Sequence, residues 1–209
     1  MSAPVIARPM LESGDNLSRV EFHQRYCQRP DIKRAELIDG VVYVASPVSD
    51  FHGAPHLSVA SWLGAYRARH PELHASDNVT VFLGDDTEVQ PDACLWREEP
   101  DGLHLTAEGY IEGAPQLVVE VAATSASYDL HQKLDIYRRN GVRDYIVWRV
   151  FDAMVNWYGL RNGQYVLMEP DESGIIESQS FPGLRLNVPK LLADDLAGVL
   201  AELGQLPTS

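Results

Sequence analysis

The stretch Gln116-Leu-Val-Val-Glu-Val-Ala limits what this chain can become more than any other part of its sequence. Uninterrupted apolar residues belong to a strand covered on both faces, since strand side chains alternate sides and a half-exposed strand alternates apolar with polar. Glu120 breaks that continuity. An ionised carboxylate inside such a strand costs several kcal/mol unless donors or a cation compensate it. Two compensations are open: an ion pair at the strand end with an arginine such as Arg143, or a bound cation. Asp92, which follows Pro91 on an earlier strand, presents the same choice. If the two strands are neighbours, the carboxylates converge, and a hard ion that prefers oxygen ligands, Mg²⁺ or Mn²⁺, relieves their repulsion.

Helix and strand signals alternate around these two positions. Residues 1–15 hold two prolines and a glycine with little periodicity and read as a flexible lead-in, leaving 16–209 as one domain. Ser18 and Glu21 have the spacing of a capping box and open a helix over 20–28 that Pro30 ends. Asp39-Gly40 between two β-branched runs marks a tight hairpin. Val59, Trp62, Leu63 and Tyr66 recur at helical spacing and predict a helix over 57–70. Strands are expected at 78–83 and 89–96, followed by an excursion loop over 97–114 with room for one helical turn. After the strand at 116–122, a helix over 127–140 is capped by Gly141, and a strand follows at 143–150. Runs at 154–160, 164–169 and 175–180 suggest an antiparallel meander, closed by a short helix after Pro189.

With 209 residues, 45% hydrophobic and 22% charged, the chain has the balance of an ordinary globular protein. No apolar run approaches the roughly 18 residues a membrane span needs, and no basic segment leads into an apolar one at the start, so a cytoplasmic protein is expected. Cys27 and Cys94 are too few for a disulfide framework or a cysteine-rich zinc site and read as two buried thiols. The formal net charge of −13 opposes a polyanionic partner, because phosphate binding draws its affinity from lysine and arginine.

Lys133 stands one turn after Asp129 in the helix that follows the Glu120 strand. An ordinary surface pair explains that spacing. Beside a metal site, however, the ammonium gains a role: holding an attacking water or neutralising charge in a phosphoryl transition state.

Six short motifs then occur in order: Glu36-Leu-Ile-Asp-Gly, Ser46-Pro47 with His52, Pro91-Asp92, Leu117-Val-Val-Glu120-Val, Asp129-x-x-x-Lys133-x-x-x-Tyr137, and Gly141-Val-Arg-Asp-Tyr145. Over residues 17–190 the chain thereby resembles the large bacterial family of restriction-endonuclease-like proteins within the PD-(D/E)XK nuclease superfamily. The resemblance implies an α/β (α+β) restriction-endonuclease-like core, with a mixed central β-sheet flanked by helices and an antiparallel C-terminal meander. It implies metal-dependent hydrolysis of phosphodiester bonds in DNA, with Asp92, Glu120 and Val121 as ligands of Mg²⁺ or Mn²⁺. Glu36, His52, Asp92, Glu120 and Lys133 form the implied catalytic set, and a homodimer follows by analogy. In most of the superfamily the lysine stands two positions after the glutamate. Here that position is Ala122, and Lys133 from the following helix takes its place. Ala123-Thr-Ser, Ile146 and Arg149 are further departures from the family pattern.

His52 and His56 are four apart, but Gly53 and Pro55 argue against a regular helix there and no third ligand accompanies them, so zinc is set aside. Basic residues gather at Arg25, Arg29, Lys33 and Arg34 and again at Arg138, Arg139 and Arg143. If the two groups meet at the site they form a phosphate-contacting rim; otherwise they are solvated faces. Two rivals to a DNA nuclease suit the acidic balance. One is a binding or regulatory module that kept the fold with little or no catalysis, and the other is a phosphodiesterase acting on RNA or small nucleotides.

Overall fold

The computed structural model describes residues 10–100, 102–123 and 126–204. Leu11 is buried and the Gly14 N–H donates to the Val42 carbonyl, so residues 10–15 are tied down, while 1–9 lie outside the described residues. Ser18 caps α1 (Arg19–Cys27) by accepting the Glu21 N–H, and Glu21 turns to Arg25 one turn on. The hairpin of β1 (Ala35–Ile38) and β2 (Val41–Val44) turns at Asp39 and Gly40, whose φ angles of 52° and 77° are the left-handed pair that a two-residue hairpin turn needs.

α2 (Asp50–Arg67) starts well before residue 57 and runs through Gly53 and Pro55. The reasoning that these two residues keep His52 and His56 off a regular helix therefore fails. Proline this near the start of a helix removes a single main-chain donor. Burial of Val59, Trp62, Leu63 and Tyr66 on one face outweighs that loss.

The strand expected at 78–83 is shortened to 81–82, and the one expected at 89–96 is broken. Asn78 adopts φ 48° and separates β3 (His74–Asp77) from β4 (Val81–Phe82), while Gln90 to Asp92 separate β5 (Glu88–Val89) from β6 (Ala93–Trp96). The segment read as an excursion loop carries two short strands, β7 (His104–Leu105) and β8 (Ile111–Glu112). Next come β9 (Leu117–Ala122), α3 (Ala126–Arg139), β10 (Asp144–Arg149), β11 (Met154–Arg161) and β12 (Gln164–Leu167). β13 (Ile175–Glu177) pairs with β14 (Arg185–Asn187) rather than extending the meander, and α4 (Val188–Leu192) and α5 (Leu196–Ala201) follow.

One mixed sheet has the order β12-β11-β10-β9-β6-β3, in which only β9 and β10 are parallel. A second has the order β2-β1-β5-β4-β8-β7. The α/β class, the mixed sheet with flanking helices and a separate antiparallel C-terminal pair are thus present. β9 has a neighbour on each side and is buried along its whole length. Leu117, Val119 and Val121 face a core shared with α2, α5 and the β13–β14 pair; Val118 and Ala122 face a core shared with α3 and the second sheet. Glu120 has the parity of Val118 and Ala122, so the two-residue period aims it at α3.

No helix among the described residues is long and apolar enough to cross a membrane. Cys94 is buried, but Cys27 is exposed at the end of α1, which corrects the reading of two buried thiols. The reason is local: α1 fully buries only Phe22, and Cys27 lies on the face turned away from it.

Candidate active site

The register of the central sheet brings the two acids together. Ala93 lies opposite Val119, so Asp92, one step before β6, comes level with Glu120. There Asp92 Oδ2 accepts the Val121 N–H at 2.7 Å, a side chain taking the ladder bond where β6 has not yet begun. Both carboxylates are 2% exposed.

α3 supplies the cation. Lys133 Nζ donates to Glu120 Oε1 at 2.9 Å and to Glu36 Oε1 at 3.0 Å, with Asp129 Oδ1 4.0 Å away. Tyr137, one turn further, donates its hydroxyl to Glu120 Oε1 at 2.9 Å. The helix is stopped to hold them there: Val142 N–H returns to the Tyr137 carbonyl at 3.0 Å and Gly141 N–H to that of Arg138 at 3.2 Å, with Gly141 at φ 86°. Glu36 enters from β1 and is fixed by the Gln90 N–H at 2.7 Å.

His52 lies in the first turn of α2, with Nδ1 2.9 Å from the Val121 carbonyl and Nε2 3.5 Å from Asp92 Oδ1. With one nitrogen donating to a carbonyl and the other facing a carboxylate, the imidazolium is favoured. The hydrogen bond to Asp92 raises the His52 pKa against the opposing effect of burial. His56 contacts the Asp92 carbonyl through Nε2 at 2.7 Å, a positioning contact and not a ligand pair with His52.

The five expected catalytic positions, Glu36, His52, Asp92, Glu120 and Lys133, thus converge, and the Val121 carbonyl borders them. Arg143 is not the partner of Glu120: it pairs with Glu99 at 2.9 Å. The basic clusters do not form a rim either. Arg25 pairs with Glu21, Arg29 with Asp31, Arg138 with Asp135 and Arg139 with Asp39. Arg34 reaches the site, donating from Nη1 to Asp92 Oδ1 at 2.6 Å. Sequence reasoning left Arg34 in the basic cluster. Its signal was parity, because residues 34 and 36 share one side of an extended chain.

Burial sets the electrostatics. Glu36, Asp92, Glu120 and Asp129 are all buried, and the Lys133 ammonium, the Arg34 guanidinium and the His52 ring face them. Burial pushes the Glu120 carboxyl up to about 8; Lys133 opposes this, while Asp92, Asp129 and Glu36 add to it. Burial also works against ionisation of Asp92, but His52, Arg34 and the Val121 N–H outweigh it and hold this carboxyl well below the usual range. Lys133 stays charged: burial opposes the ammonium, but Glu120, Glu36 and Asp129 prevail and raise its pKa.

Among the described residues no group of three or more His, Cys, Asp or Glu side chains is arranged to hold a metal ion. The expected ligand set asks for less, two carboxylates and a main-chain carbonyl. Its all-oxygen donor chemistry fits a hard divalent cation.

Residues 19–189 match the Uma2 family, described as "Putative restriction endonuclease". The chain belongs to the Uma2 family. This Uma2 chain is also similar in fold to a solved structure described as a "putative nuclease" from Anabaena variabilis. That likeness has a TM-score of 0.65 at 14% identity and covers 81% of this chain and 96% of the other. None of the curated proteins compared with it matches. The family supports a nuclease, a hydrolase of phosphodiester bonds, and the likeness shows the fold.

Proposed function

We propose that this Uma2 protein is a Mg²⁺- or Mn²⁺-dependent endonuclease that hydrolyses phosphodiester bonds in DNA. The observation that carries the reading is the position of Lys133, whose ammonium reaches Glu120 and Glu36 at 2.9 and 3.0 Å from a helix, although strand position 122 holds an alanine. Asp92, Glu120 and the Val121 carbonyl would hold the ion, which when bound supplies Lewis-acid activation of water and charge neutralisation at phosphate.

The remaining chemistry belongs to the chain's own groups. Lys133 orients the attacking water and stabilises the charge that grows on the phosphorane-like transition state, in a site where burial strengthens its field. Glu36 holds the Lys133 ammonium together with Glu120 and is itself fixed by the Gln90 N–H. Tyr137 fixes the Glu120 carboxylate through Oε1 and leaves Oε2 toward the open side. His52 braces the end of β9 by its contact with the Val121 carbonyl and keeps Asp92 ionised.

Nicking of supercoiled plasmid in Mg²⁺ or Mn²⁺ tests the proposal. Asp92→Asn and Glu120→Gln should each lower the rate by about 10²- to 10³-fold, the usual effect of losing one electrostatic element of a site. Equal background from wild type and either variant would end the enzymatic reading. A homodimer belongs to the same proposal, since cutting both strands of a duplex calls for two sites related by a two-fold axis. The Arg34–Asp92 ion pair favours one other reading, a metal-free binding module, which predicts that calorimetry detects no Mg²⁺ binding.

A further inference from the structure

Lys133 and Arg34 both touch the carboxylates, and they differ in one respect. Lys133 projects from α3 and is 2% exposed, whereas the Arg34 side chain is 20% exposed. Besides its bond to Asp92 Oδ1, the Arg34 guanidinium donates from Nη2 to the Gln90 carbonyl. The same Nη2 lies 3.7 Å from Glu36 Oε1 and 3.7 Å from Glu120 Oε2. Asp92 Oδ2 is taken by the Val121 N–H, and Glu120 Oε1 by Lys133 and Tyr137. The remaining oxygens are Asp92 Oδ1, which faces Arg34 and, at 3.5 Å, His52 Nε2, and Glu120 Oε2, which faces Arg34; these are the ones left for a divalent ion.

A guanidinium cannot be deprotonated in a protein, and it repels a divalent ion held by the same oxygens. Both cannot share the place. The main chain of Arg34 is pinned, its carbonyl accepting the Ala45 N–H at 3.0 Å, so any exchange is a rotation of the side chain alone. A guanidinium turned toward solvent beside the metal presents a planar fork that matches two phosphate oxygens.

We propose that Arg34 is a built-in counter-ion: it occupies the cation position in the metal-free protein, leaves Asp92 when the divalent ion enters, and then binds a phosphate of the substrate. This rests on the metal-dependent reading above. It explains how so many buried acids are tolerated in the absence of metal.

The test compares wild type, Arg34→Met and Arg34→Lys by calorimetry with Mn²⁺ and Mg²⁺. Arg34→Met should bind the ion about ten- to a hundredfold more tightly, the equivalent of one charge-assisted hydrogen bond no longer given up. Arg34→Lys, which keeps the charge but not the fork, should fall between the two. Equal or weaker binding by Arg34→Met, with wild type binding normally, overturns this inference alone. Absence of binding in every protein overturns the metal reading and this inference together. Because Arg34→Met leaves acids uncompensated and could fail to fold, wild-type protein provides a second measurement. Phenylglyoxal labelling of Arg34, mapped by mass spectrometry, should accelerate several-fold on saturation with non-catalytic Ca²⁺; an unchanged rate refutes displacement. In Ca²⁺, Arg34→Met should also bind a mixed-sequence DNA duplex several-fold more weakly than wild type, and unchanged affinity would refute the phosphate contact.

Discussion

Replacing Glu120 by glutamine should flatten the pH dependence of folding stability. The carboxyl is buried, touches Lys133 and Tyr137 at 2.9 Å each, and is pushed from its ordinary 4.5 up to about 8, first by burial and then by Asp92, Asp129 and Glu36. Between these two values the folded protein keeps a proton that the unfolded chain gives up. Stability from this group is thus complete below about 4.5 and is lost as pH rises through about 8. One proton contributes about 1.4 kcal/mol per pH unit, so from pH 5 to pH 8 the wild type should lose at most about 4 kcal/mol through Glu120. His52 and Glu88, also raised, slope the same way but persist in the variant, and Asp92, lowered, acts only below its ordinary 3.8. Urea unfolding followed by tryptophan fluorescence, in chelator at half-unit pH steps, reads the difference. The wild-type free energy should fall toward pH 8 while that of Glu120→Gln stays closer to level. Parallel profiles would refute the claim that excess buried acid raises Glu120.

Two further substitutions probe the same network and a separate one. Lys133→Met should cost about 3–5 kcal/mol near pH 8, the usual penalty for breaking a buried ion pair, and less near pH 5, where the freed carboxyls take up protons; a loss under 1 kcal/mol at pH 8 in urea unfolding would mean the acids are not held by Lys133. Asp144, fully buried at the start of β10, accepts from Trp157 Nε1 at 2.8 Å and from Ser178 Oγ at 3.0 Å, so Asp144→Ala orphans two buried donors. It should lower stability by about 2–4 kcal/mol in thermal or urea unfolding, and an unchanged midpoint would show that both donors find other partners.

Much of the scaffold was legible because it depends on neighbours along the chain. The left-handed turn at Asp39-Gly40, the Gly141 stop of α3 and the doubly covered β9 all follow from φ preferences and side-chain period, which a few adjacent residues set. Where the reading went astray, packing overrode a local rule. Pro55 is carried inside α2 by the apolar face that follows it, and the run at 89–96 is divided because it serves two sheets, β5 in one and β6 in the other.

The sequence by itself determined which residue types the centre must contain: an acid in a buried strand, a second acid after a proline, and a lysine on the next helix. Only the tertiary structure decided how their charges are shared. Lys133 and Glu36 are 97 positions apart, and Arg34 and Asp92 are 58 apart. No local preference says which cation meets which carboxylate, because Coulomb attraction depends on distance and burial in the folded protein and not on spacing along the chain. Lys133 came to lie buried among the acids because α3 packs on both β9 and β1, while Arg34, just before β1, stays partly exposed.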